Sequence, residues 1–225
     1  MREQGRLCWQ GACVQPWEYG GPQWPRPADE PSATAASLSE KAAFYEAITR
    51  RLHVHPELKW IMSVTLEADP ADPEAPAVSQ EQATWRDVER WHSGENDGLW
   101  NALYLAAESF RYAATGDAEA LEMIKTLLHG FATRMAVTGV PGLYTRQYVP
   151  PGVSGISCPD DKERYMPDIE KDDNKWVRIN ANGCVEYVDR DTGAWKESEH
   201  CGLKDYAGWC WLDNVSKDEY SGHMF

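Results

Sequence analysis

The sequence predicts a mainly α fold built on αα-hairpins, with a small disulfide-tied β-hairpin inserted late in the chain. Three observations predict it. Residues 99–114 carry Leu99, Leu103, Ala106 and Phe110 on one helical face, and residues 117–137 repeat the pattern with Leu121, Ile124, Leu128, Phe131 and Met135. Between them, Thr115-Gly116-Asp117 supplies a glycine to end one helix and an aspartate to cap the next, so the two are antiparallel neighbours on a minimal loop. From residue 150 to 211 the texture turns to loops, and four of the six cysteines lie there or close by.

The other elements follow in order. Residues 1–36 are punctuated by Pro, Gly and Trp (Pro16, Trp17, Gly20, Trp24, Pro25) and read as an extended, aromatic-anchored arm; residues 37–225 form the main domain. Ser37-Leu38-Ser39-Glu40 has capping-box spacing and opens a helix over 38–53, with Ala42, Tyr45, Ile48 and Leu52 as its apolar stripe. Residues 60–66 favour a strand, and the proline-interrupted 69–76 an exposed loop. Residues 175–179 and 184–189 alternate at period two around Asn180-Ala181-Asn182-Gly183, the signature of a β-hairpin. Ser216 and Glu219 repeat the capping-box spacing and start a last helix.

Composition bounds the function. At 225 residues with 42% hydrophobic content the chain can bury a core, and no apolar run is long enough for a spanning helix. A net charge of −14 argues against nucleic acid as a partner. Cys8, Cys13, Cys158, Cys184, Cys201 and Cys210 contain no C-x-x-C pair, so structural zinc is not expected; no metal or cofactor is. Disulfides suit their distribution better, and with the Asn214-Val215-Ser216 sequon they suggest the extracellular space or secretory lumen, although no signal peptide is visible. Eleven tryptophans serve as core filling or as platforms for sugar rings.

Ionisable groups gather at two helix starts. Glu95 and Asp97 crowd the first, flanked by Trp91 and Trp100; the plain alternative is that Asn96 or Asp97 only caps the helix. Asp218, Glu219 and His223 load the second, where carboxylates and an imidazole suit acid–base chemistry, or where they form a charged, capped surface helix. Arg146, between Tyr144 and Tyr148, has two roles open to it: binding a substrate carboxylate, or pairing with Glu95 or Asp97. His53 and His55 alternate at a helix end and diverge, which speaks against a metal pair.

Three motifs occur in order: the run 95–117 headed by Glu95-Asn96-Asp97-Gly98-Leu99-Trp100; Val137-Thr138-Gly139-Val140-Pro141-Gly142-Leu143-Tyr144-Thr145-Arg146; and Ser216-Lys217-Asp218-Glu219-Tyr220-Ser221-Gly222-His223. Together, over roughly residues 37–225, they resemble an uncharacterised family of (α/α)6-toroid proteins, related in fold to six-hairpin glycosidases and sometimes adjoining β-propeller sensor domains. The resemblance implies a toroid of six αα-hairpins, of which this chain supplies the first two or so, completed by further polypeptide or by partner chains. It implies a glycoside hydrolase- or polysaccharide lyase-like activity on a glycan, acidic if Arg146 holds it. Asp97 and Glu219 are then the acid/base pair, Asp218 and His223 support them, and Trp91, Trp100 and Glu95 contact the sugar. The rival expectation is a non-catalytic component of a larger extracellular or surface assembly, marked by an exposed apolar patch.

Overall fold

The computed structural model describes residues 2–3, 6–9, 12–14, 35–92, 96–167, 175–214 and 217–224, with side chains from residue 38 onward. It divides into two compact units, residues 1–43 and 44–225. In the first, β1 (Arg2–Glu3), β2 (Arg6–Trp9) and β3 (Ala12–Val14) form an antiparallel sheet in that order, with Cys8 opposite Cys13. The first residues of the expected arm are therefore strands: Leu7-Cys8-Trp9 and Ala12-Cys13-Val14 are short β-favouring runs, easily hidden by the proline-rich sequence after them.

Helix α1 (Ala35–Ile48) continues into a π-turn, Thr49–His53. In the second unit, β4 (Ser63–Leu66) pairs with β7 (Val88–His92), and β5 (Ala68–Asp69) pairs with β6 (Asp72–Pro76) where a loop was expected. Then come α2 (Asp97–Thr115) and α3 (Ala118–Ala136). Gly116 takes the left-handed conformation (φ 68°) that ends α2, and the Asp117 carboxylate accepts from the Glu119 amide at 2.9 Å to start α3.

The expectation of a mainly α toroid is overturned. Residues expected to form only a small inserted β-hairpin instead build a five-stranded antiparallel sheet, in the order β11-β10-β9-β12-β8. Its strands are β8 (Tyr148–Val149), β9 (Trp176–Ile179), β10 (Val185–Val188), β11 (Trp195–Glu197) and β12 (Cys210–Leu212). The expected β9–β10 hairpin is its centre, and strands only two or three residues long extend it on both sides, too short to announce themselves by periodicity. Disulfides join Cys158 to Cys210 and Cys184 to Cys201. The main core lies on this sheet, where Trp60, Met62, Trp91, Val137, Tyr148, Val177, Ile179 and Trp211 pack together. The architecture is an antiparallel sheet with one helical hairpin among the described residues, an α+β arrangement. A short helix, α4 (Lys217–Met224), closes the described chain.

The hairpin turns inward a face rotated by about 100°, one residue, from the one its hydrophobicity suggests. Helix α3 buries Ala120, Met123, Leu127, Gly130 and Arg134, a stripe one residue out of phase with the larger apolar one. On α2, Asp97, Gly98, Asn101, Ala102 and Glu108 are buried, whereas Phe110 is 72% exposed and Leu103 44%. Close backbone approach explains the choice: a Cβ on Gly130 would lie 2.4 Å from the Lys59 carbonyl oxygen, so only a glycine lets α3 reach that strand-to-turn segment.

Candidate functional site

The candidate site is the junction where α4 crosses the N-terminal end of α2. Gly98 and Gly222 make the crossing possible. A Cβ on Gly222 would sit 2.6 Å from the Leu99 Cα, and one on Gly98 would sit 1.8 Å from the Glu219 Oε2. Through this gap Glu219 reaches α2, and its Oε1 accepts the Gly98 backbone amide at 3.0 Å. Asn96, at the N-cap position of α2, makes no side-chain cap. A carboxylate 121 residues away in sequence therefore satisfies one of the free N–H groups at the positive end of the helix.

Glu219 is 2% exposed and sits 3.7 Å from the Arg134 guanidinium, itself 1% exposed. Arg134 is held on three sides. Its guanidinium lies 3.6 Å from the centroid of the Trp60 ring, its Nη1 donates to the Thr145 carbonyl at 3.0 Å, and its charge interacts with Glu219 and Asp97. Thr145 passes the connection on, its hydroxyl lying 2.9 Å from the Leu212 carbonyl at the end of β12. Arg146 is also buried and acts on Glu219 electrostatically. Two carboxylates and two guanidiniums thus share the junction, so its formal charge is balanced.

Burial shapes the titration of Glu219, Arg134 and His223. It pushes the Glu219 carboxyl up against the opposing pull of Arg134, the Gly98 amide and Arg146. It lowers Arg134 to about 10, against Glu219 and Asp97, which leaves the guanidinium charged at neutral pH. His223 donates from Nδ1 to the Glu219 carbonyl at 2.6 Å, and burial, with Arg134 nearby, lowers its pKa, so the ring is neutral. Its face lies 4.0 Å from the Tyr144 ring centroid, and the Phe131 ring meets it edge-on at 4.9 Å.

The structure brings Asp97, Arg146, Glu219 and His223 together and leaves the other expected residues apart. Asp218 is exposed on α4. Trp100 is 58% exposed on the outside of α2, whereas Trp91 is buried with its ring 4.6 Å from that of His55. Glu95 lies outside the described residues. Arg134 escaped the sequence reading because an arginine near the end of an amphipathic helix ordinarily reads as a solvated, dipole-favoured residue. His55, weighed for a metal, accepts the Glu57 and Leu58 amides on Nδ1 at 3.1 and 3.2 Å and so organises the turn below Trp60. Among the described residues the one cluster with metal-ligand proximity is Cys184, Glu197 and Cys201, and its two sulfurs are spent in a disulfide.

Beside the junction, a groove of about 450 Å³ opens between α2 and α3, with Ala106, Phe110, Leu128, Phe131 and Met135 on its walls and Tyr144 and His223 at its end. Comparison with family models, curated proteins and solved structures gives no match.

Proposed function

We propose that this chain is a non-catalytic binding component of a larger extracellular assembly, and that the outer face of α2–α3 is covered by an amphipathic helix of a partner polypeptide. The observation that carries this reading is the rotated hairpin. Its inner stripe mixes small and charged residues with Met123 and Leu127, while Phe110, Leu128 and Met135 stand 72, 52 and 38% exposed along one groove. Apolar faces of this kind mark interaction sites. A groove between two antiparallel helices, lined at spacings of three and four, accepts a third helix presenting the same spacing. Two disulfides in the sheet suit a chain that works outside the reducing cytosol.

The carbohydrate-active reading asks for Asp97 and Glu219 to face a cleft as acid and base. Both are buried, and Glu219 is engaged by a helix amide and a guanidinium, which favours a scaffold role. The test places a photo-crosslinking residue at position 110 in the full chain, in extracts of its native source. Coupling should occur to a helical segment of another polypeptide with apolar residues three and four apart, and Leu128→Asp should cut the yield at least tenfold. Equal coupling from position 125, on the polar face of α3, or no effect of Leu128→Asp, would overturn the reading.

A further inference from the structure

A second cleft, of about 780 Å³, lies between β7 and the loop that leads into the Cys158–Cys210 disulfide. Its lining is polar: Glu89, Arg90 and His92 from β7, Gln147, Ser157, and Arg164 from the turn Lys162–Tyr165. The chain carries 36 acidic residues against 22 basic ones, yet neither the Arg90 nor the Arg164 guanidinium meets a carboxylate among the described residues. Both side chains line the same open space. Among the described lining residues, two cations stand against the single carboxylate of Glu89.

The walls are fixed before any ligand arrives. The Gly155 carbonyl accepts the Trp91 amide at 3.0 Å, so the loop runs alongside β7. The His55 Nε2 lies 3.4 Å from the Ser154 carbonyl, and Cys158 is bonded to Cys210 in β12. On the far wall the Asp161 carboxylate caps the turn carrying Arg164, accepting from the Glu163 amide at 2.9 Å, and the Tyr165 hydroxyl donates to the Pro159 carbonyl at 2.9 Å. On β7 the His92 Nε2 is 2.7 Å from the Thr65 hydroxyl. Anchored walls lower the ordering cost of binding.

We propose that this cleft binds an anionic saccharide: an oxyanion, carboxylate or sulfate, held by Arg90 and Arg164, on a ring whose hydroxyls meet Glu89, Gln147 and Ser157. Guanidiniums present paired donors to planar oxyanions, and the volume lies in the range of small-ligand sites. The site is independent of the α2–α3 groove. The test is calorimetric titration of the full chain with four probes: a uronate tetrasaccharide, a sulfated tetrasaccharide, a neutral tetrasaccharide of equal length, and inorganic sulfate. At least one acidic oligomer should bind ten times more tightly than both the neutral oligomer and inorganic sulfate. Arg90→Gln and Arg164→Gln should each weaken it tenfold or more, with unchanged melting temperature because neither guanidinium has a carboxylate partner to lose among the described residues. Leu128→Asp should leave it untouched. Equal binding of neutral and acidic oligomers, binding of inorganic sulfate as tight as theirs, no binding of any probe, or indifference to both arginine substitutions would overturn the proposal.

Discussion

The two ends of α2 use the same residue types and handle them in opposite ways. At the N-terminal end, Glu219, Asp97, Arg134 and Arg146 are all buried, and the charges are matched one for one. Towards the C-terminal end, Arg111 bridges Glu46 and Glu108 at 3.0 and 3.2 Å and also meets Asp117 and Glu119, while Arg50 lies 2.8 Å from Glu119. Four carboxylates there face two guanidiniums. Solvent reaches most of this cluster, but Glu108 is only 3% exposed, and its pKa rises to about 7 through burial, the neighbouring charge of Glu46 and a hydrogen bond to it. The Tyr104 hydroxyl donates to Glu46 at 2.6 Å from the same side. The dry end balances its charge with fixed partners; the wet end holds an excess of acid by keeping a proton.

Breaking the dry end should have the larger effect. Arg134→Met leaves two buried carboxylates with one guanidinium between them and removes the contact over Trp60, and a loss of about 3–5 kcal/mol in urea unfolding is expected. A loss below about 1 kcal/mol would place Arg134 among ordinary solvated surface arginines.

The wet end should instead show itself as a pH dependence. The folded-state pKa of Glu108 lies above its ordinary value of 4.5. Its contribution is therefore complete below that value and is lost as pH rises towards about 7. The slope is at most about 1.4 kcal/mol per pH unit. Glu108→Gln should flatten the stability curve between pH 5 and about 7 relative to the parent, read by urea midpoints at fixed salt. Parallel curves would mean that Glu108 holds no extra proton.

How far the sequence reached differs between the two halves of the hairpin problem. Thr115-Gly116-Asp117 and the 3–4 spacing were enough for two antiparallel helices, because capping chemistry is local. Which face turned inward was not legible, since Gly130 and Arg134 are chosen by a segment some seventy residues earlier, at Lys59 and Trp60. The same holds for Glu219. Capping-box spacing marks it as a helix-start residue, but its Oε1 caps α2, and no local pattern reports a partner 121 positions away. The sheet suffered most: β9 and β10 alternate visibly, whereas β8, β11 and β12 are defined by their pairing, as in Cys210 opposite Val149 and Arg178. Arg90 and Arg164 share a cleft only because a disulfide and two loop hydrogen bonds bring their segments together.

The central claim is that Glu219 is a structural clamp between α4 and α2. Urea unfolding of Glu219→Gln tests it most directly, because the amide keeps the size of the side chain and removes only the charge that Arg134 faces. The account predicts a loss of about 3 kcal/mol or more. A variant as stable as the parent, or more stable, is the behaviour of a carboxylate held under strain for catalysis, and would contradict it.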